Sequence, residues 1–243
     1  MNPLAGKVVL IVGGGTGIGL AMGVAFAQEG CRVILAGRRE AVLREAAKKY
    51  SGSNFSVRVC DASERAQVGA LVEWSEQTVG SVEILCYCAG VNVPKRLFSN
   101  VAPDEFDRVM AVNATGAFNC IHAVLPGMRE RRSGTIFNVV SVSGVRTSLL
   151  GGMPYSAAKF AQHSLGTSAN LEAMADGVRV TNIHPGETNT PILDLRPSPP
   201  PEERRETMLQ PEDVAAMAVA VARLPARVVV PEIVLVPGYS PFA

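Results

Sequence analysis

Val8-Val9-Leu10-Ile11-Val12 runs without a break into Gly13-Gly14-Gly15-Thr16-Gly17-Ile18-Gly19, and a helical pattern follows from Gly17 to Glu29. An unbroken apolar run of five residues reads as a strand buried on both faces, as in a parallel sheet. The glycines after it let the backbone turn sharply and approach a pyrophosphate, whose charge would sit at the helix N-terminus. Gly13, Gly15, Thr16, Gly17, Ile18 and Gly19 are therefore candidate cofactor contacts. About 20 residues beyond such a turn, a dinucleotide fold places the side chain that reads the adenosine ribose. Here that region reads Ala36-Gly37-Arg38-Arg39, with no carboxylate to repel a 2′-phosphate and two guanidinium groups able to pair with one. Arg38 and Arg39 point to NADP(H) as the preferred cofactor, with NAD(H) possible.

Outward from this turn, short apolar runs alternate with longer helical stretches. Strands are expected over Val8–Val12, Arg32–Ala36, Phe55–Val59, Val82–Tyr87, Thr135–Val140, Val178–Ile183 and Arg227–Val236, the last as an edge strand holding Pro231. Helices are expected over Gly17–Glu29, Glu40–Lys49, Ser63–Val79, Asp104–Glu130, Tyr155–Ala175 and Glu212–Arg223. Seven strands interleaved with helices predict an α/β, Rossmann-type, doubly wound parallel sheet covered on both faces, in one domain over residues 1–243. The one break in composition is Pro197-Ser198-Pro199-Pro200-Pro201 followed by Glu202-Glu203-Arg204-Arg205-Glu206. Residues 191–210 are expected to form a lid loop over the ligand.

The chain has 243 residues, with 23 Lys+Arg against 22 Asp+Glu, which argues against a nucleic-acid or membrane-surface partner. The longest apolar run, Val214 to Ala222, is far shorter than the roughly 18 residues of a spanning segment. The N-terminus lacks the layout of a signal peptide, and five cysteines do not make a secreted disulfide framework, so a cytoplasmic protein is expected. Cys86 and Cys88 alternate on a strand with no CxxC or neighbouring His, which reads as core packing rather than metal ligation.

Tyr155-Ser156-Ala157-Ala158-Lys159 puts a phenol and an ammonium one helical turn apart. A free phenol titrates near 10, and lowering it by about three units needs roughly 4 kcal/mol, which a neighbouring cation and an oxidised nicotinamide could supply. Asn113 stands out as a poor helix former inside an apolar helical stretch, with a core Asn as the plainer reading. Val93, Pro94, Leu149, Leu150 and Met153 are expected to shape a largely apolar substrate pocket; Arg196, Arg204 and Arg205 read as a solvated charge cluster, with contact to an anionic substrate tail such as a carboxylate or phosphate as the alternative.

Gly13-x3-Gly17-Ile18-Gly19, Ala89-Gly90, Asn113-Ala114-Thr115-Gly116, Ser141, Tyr155-x3-Lys159 and Pro185-Gly186 occur in the order and spacing of the short-chain dehydrogenase/reductase family, which the chain resembles from its first strand to the loop after the sixth. The resemblance implies an NADPH-dependent carbonyl reductase, with Tyr155 as general acid or base and Lys159 lowering its pKa and holding the nicotinamide ribose. It implies that Ser141 binds the substrate oxygen, with Ser143 as the competing candidate, and that Asn113 holds a water relaying protons to Lys159. Asp61 and Ala62 resemble the adenine contacts, Cys88, Ala89 and Gly90 the approach to the ribose, and Pro185, Gly186, Thr188 and Thr190 the carboxamide loop. Glu187 stands in that loop where relatives often carry an apolar residue, which reads either as a contact to a polar substrate group or as a solvent-facing side chain. Tyr87-Cys88 replaces the usual pair of asparagines, and the chain end departs from the usual pattern. Apolar residues on several faces of the helices around Asn113 and Tyr155 imply a homodimer or homotetramer. The alternatives are an NAD-dependent alcohol dehydrogenase of the same family, and a regulator that binds the cofactor without chemistry.

Overall fold

The computed structural model describes residues 2–50 and 55–240. The apolar runs become β1 (Val8–Val12), β2 (Arg32–Gly37), β3 (Phe55–Val59), β4 (Ile84–Tyr87), β5 (Gly134–Val139), β6 (Val178–Pro185) and β7 (Glu232–Leu235). The helices are α1 (Gly17–Gln28), α2 (Glu40–Lys49), α3 (Arg65–Thr78), α4 (Pro103–Met110), α5 (Gly116–Glu130), α6 (Met153–Ala173), α7 (Glu202–Glu206) and α8 (Pro211–Ala222). All strand pairs are parallel and the sheet order is β3-β2-β1-β4-β5-β6-β7. Strand order reverses between β1 and β4, so a crevice opens at their carboxyl ends.

Alternate residues of the central strands feed two cores. Val8, Leu10, Val12, Leu85 and Tyr87 pack with α3, α5 and α6 on one face. Val9, Ile11 and Cys86 pack with α1, α2 and α8 on the other, and Cys88 joins that layer at its edge. The two cysteines thus lie on one face, as their spacing predicts. Burial pushes the Cys88 thiol up to about 12, which suits packing and not nucleophilic chemistry.

Three expectations need correction. The last strand begins after Pro231, whose carbonyl still accepts from Asn182 N at 2.9 Å; a ring without an N–H closes the strand there instead of sitting inside it. The helix expected over 104–130 is divided by a π turn at Ala111–Thr115. Together α4, this turn and α5 run continuously over Pro103–Glu130, 28 residues with the length and mean apolarity of a membrane-crossing helix. It holds no long unbroken apolar run because Asn113, Thr115, Asn119 and His122 interrupt it; 56% of its most apolar stretch is buried inside the protein.

The π turn accounts for Tyr87. Its ring is fully buried, and its hydroxyl donates to the Val112 carbonyl. A π turn skips a backbone bond and leaves carbonyls to find other donors. Gly116 makes this possible, because a Cβ there would collide with the Tyr87 hydroxyl. The side chain standing where the family has asparagine therefore ties β4 to the turn that carries Asn113. Tyr87→Phe leaves a buried carbonyl unpaired, and chemical denaturation is expected to show a loss of about 1–3 kcal/mol.

Candidate active site

A cavity of about 600 Å³ occupies the crevice. At one end the glycine turn brings two backbones into contact. Gly13 has φ of +85°, and a Cβ there would sit 2.6 Å from Ala89 N. Gly19 presses on Gly13 in the same way. Beyond the turn, α1 begins at Gly17 with Thr16 extended before it, so free backbone N–H groups face the cavity. No side chain fills this cradle, which fits the pyrophosphate of a dinucleotide. Arg38 and Arg39 line the cavity where it passes the end of β2. The Arg38 guanidinium lies 3.9 Å from the Asp61 carboxylate, an ion pair loose enough to leave donors for a phosphate. Every residue named above as a cofactor contact lines this cavity.

The catalytic candidates converge at the other end. Tyr155 and Lys159 occupy the first two turns of α6, with the Lys159 Nζ 5.6 Å from the centre of the Tyr155 ring. Ser141, just past β5, stands near the Tyr155 side chain and acts on its phenol. Its Oγ accepts from Ser143 N at 3.1 Å, which turns the chain into the cavity wall. Both serines line the cavity, and Ser141 is the one that acts on the phenol. Burial pushes the Tyr155 phenol up, while Ser141 and the charges of Arg196 and Arg96 pull it down.

Asn113 does not line the cavity. Its side chain is fully buried and pairs with the backbone of Val91, accepting from N at 2.8 Å and donating to O at 3.0 Å. It holds the loop after β4 with Gly90 against Lys159, since a Cβ on Gly90 would lie 3.6 Å from Asn113 Oδ1 and 3.7 Å from Lys159 Nζ. Val93 is a correction: its side chain is fully buried in a small cluster with Val109 and Ala158, behind the pocket wall. Pro94, Leu149 and Met153 also stay outside the lining, whereas Leu150 and Glu187 are part of it.

Three sets of contacts escaped the sequence reading. The Lys159 ammonium donates to Gln162 Oε1 at 2.7 Å and to Val139 O at 3.0 Å. Gln162 in turn donates to Asn138 Oδ1 at 2.7 Å, and Asn138 to Asn182 Oδ1 at 2.8 Å, a buried chain running from the site into the sheet. Glu187 is the second centre: it accepts from Arg196 at 2.8 Å, Arg204 at 3.0 Å and the Tyr239 hydroxyl at 2.8 Å. Burial raises this carboxyl, and the three hydrogen bonds outweigh burial and hold it below the usual carboxylate range. Of the arginines expected to be solvated, Arg196 is 14% exposed and Arg205, 16% exposed, pairs with Asp194, whereas Arg204 stays half exposed while pairing with Glu187. Third, His163, His184 and Glu232 bring one donor atom each within 4.8 Å of one another beside the serine turn, a cluster invisible in their spacing. His163 pairs with Glu232 at 2.7 Å, and the His184 Nδ1 meets Ser141 O at 3.1 Å.

Burial lowers the Lys159 ammonium to about 7. In the unfolded chain it holds its proton to about 10.4. Between these values the unfolded chain binds the extra proton, so this group makes the folded state gain stability as pH rises, levelling off once pH falls below the native value. Lys159→Met removes the effect. Urea titrations are expected to show the wild type gaining about 2 kcal/mol on the variant between about pH 7 and about pH 9.

Against known proteins, the model of the family described as short chain dehydrogenase matches residues 7–199. Glycine betaine reductase ATRR of Emericella nidulans is 35% identical over 99% of this chain, which spans 19% of that protein's length. An uncharacterized oxidoreductase, MW2403, of Staphylococcus aureus is 31% identical over 98% of this chain and 100% of its own. A solved serine dehydrogenase complexed with NADP+ superimposes with a TM-score of 0.89 at 27% identity, covering 98% of this chain and 97% of that one. The chain, with its glycine cradle and its Ser141–Tyr155–Lys159 cluster, belongs to the short-chain dehydrogenase/reductase family of oxidoreductases.

Proposed function

We propose that the protein reduces a carbonyl group to an alcohol, or runs the reverse oxidation, with NADP(H) as its preferred cofactor. The observation that carries this reading is the meeting of Ser141, Tyr155 and the buried Lys159 in one cavity, with the Lys159 Nζ 5.6 Å from the centre of the Tyr155 ring. A bound NADPH supplies the hydride. The Ser141 hydroxyl donates to the carbonyl oxygen and orients it, and the Tyr155 O–H gives that oxygen its proton as negative charge develops. The Lys159 ammonium, beside the ring, opposes the charge left on the phenolate, and Gln162 and the Val139 carbonyl aim it. Asn113 keeps the Gly90 backbone seated beside Lys159, where a ribose would lie.

The NADP(H) preference rests on Arg38 and Arg39 at the end of β2, and the neighbour that holds NADP+ supports it. Asp61 is the nearest carboxylate to Arg38, and the pair stands far enough apart for a phosphate to take over the guanidinium. Residues 191–210 act as the lid, closing the nicotinamide end through Pro191, Ile192, Leu193, Leu195 and Arg196. Half-exposed Phe118 and Phe160 and exposed Leu171, on α5 and α6, support a homodimer or homotetramer. Five free cysteines support a reducing, cytoplasmic setting.

Tyr155→Phe is expected to leave NADPH affinity within about threefold while removing nearly all turnover, about a thousandfold or more. Unchanged turnover on ketones or aldehydes would sink the assignment. In fluorescence titrations NADPH is expected to bind at least about tenfold more tightly than NADH, and Arg38→Ala with Arg39→Ala to erase the gap. Equal affinities in the wild type would count against the phosphate reading.

A further inference from the structure

Among the described residues no carboxylate pairs with the charge of Arg96. Its side chain is 5% exposed, at the wall of the cavity. Nε donates to Val93 O at 2.9 Å, Nη1 to Leu150 O at 2.9 Å and Nη2 to Leu195 O at 2.7 Å. Three backbone carbonyls fix the guanidinium plane but bring no negative charge. Among the described residues no carboxylate lies within 4.0 Å of it. A guanidinium has five N–H bonds, so one on each terminal nitrogen is left without a protein acceptor. A buried cation without a counter-ion is costly, and proteins normally pair it.

The neighbouring charge deepens the imbalance. Arg196 lines the same cavity and acts electrostatically on both Arg96 and Tyr155. Its one carboxylate partner, Glu187, is shared with Arg204 and Tyr239 and does not lie within 4.0 Å of Arg96. Glu187 thus pairs with two guanidinium groups, and Arg96 stands beside Arg196 in the cavity that holds Tyr155 with no such partner.

We infer that this end of the cavity binds the carboxylate of an anionic carbonyl substrate, an oxo acid or the matching hydroxy acid, with Arg96 and Arg196 as its partners. The inference rests on the carbonyl-reductase reading above for the identity of the reacting group, but not for the anion itself. A planar carboxylate accepts from the two free N–H groups of one guanidinium, which a neutral ester or amide cannot match in charge. Because Arg96 is pinned to the loops at Leu150 and Leu195, the anion would also draw these two walls together beside Tyr155.

The test measures binding and turnover separately. Acetate, propionate and butyrate are titrated into the wild type with its NADP(H) bound, against acetamide, propionamide and butyramide, at constant ionic strength set with chloride. At least one carboxylate is expected to bind saturably and at least about tenfold more tightly than its amide. Arg96→Lys and Arg196→Gln, each checked for a native circular dichroism spectrum, are each expected to shrink the gap by about fivefold or more. In parallel, short oxo acids are expected to exceed their methyl esters in kcat/KM. Equal binding of acids and amides by the wild type overturns the inference whether or not the variants fold. So do a gap that survives in both folded variants, and inorganic phosphate binding more tightly than every carboxylate. Carboxylate binding with no hydride transfer to any carbonyl would instead overturn the reductase reading and leave the anion site standing. Turnover of esters and acids alike would do the reverse.

Discussion

The approach of two backbones at the end of β1 is the constraint on which the site depends. Gly13 lies against the peptide joining Cys88 to Ala89, and Gly19 lies against Gly13, with no room for a single carbon at either place. This contact sets how near α1 comes to the crest of β4, and so where its free N–H groups point. It also aligns the loop after β4, whose Gly90 stands beside Asn113 and Lys159. The glycine turn and the Tyr155–Lys159 pair are thereby held on one rigid frame, at the carboxyl ends of the strands where their order reverses.

A second frame supports the chemistry from below. Lys159 is buried among apolar strands, a placement that by itself favours the neutral amine. The amide chain from Gln162 through Asn138 to Asn182 gives the ammonium acceptors and gives each amide a partner, so the network is satisfied along its length. Desolvation lowers this ammonium and the neighbouring Cys88 opposes it. Tyr155 is set by a similar contest, with burial on one side and Ser141 and two arginines on the other.

The strands, the glycine turn and the Tyr155–Lys159 pair were legible because each is a local pattern: a period, a turn or a one-turn spacing. Interactions closing over long separations were not. Tyr87 meets Val112 across 25 positions, Gln162 meets Asn138 across 24, and Arg96 meets Leu195 across 99. Tyr87 read as a loss because the asparagines it replaces are polar, whereas its hydroxyl reaches a carbonyl that only the π turn releases. Arg196 reads as a solvated charge and Glu187 as either a substrate contact or a solvent-facing side chain; folding residues 191–210 back onto the loop after β6 makes them neighbours and removes most of their water. Val93 failed for the opposite reason, since an apolar residue near a pocket can as well face the core behind it.

Glu187 has one more consequence. It sits on the loop after β6, holds residues 191–210 through Arg196 and Arg204, and takes a hydrogen bond from Tyr239. A single carboxylate thus couples three stretches of chain that lie apart in sequence. A change at Tyr239 would therefore be felt at Arg196, inside the cavity, and not only where the tyrosine stands.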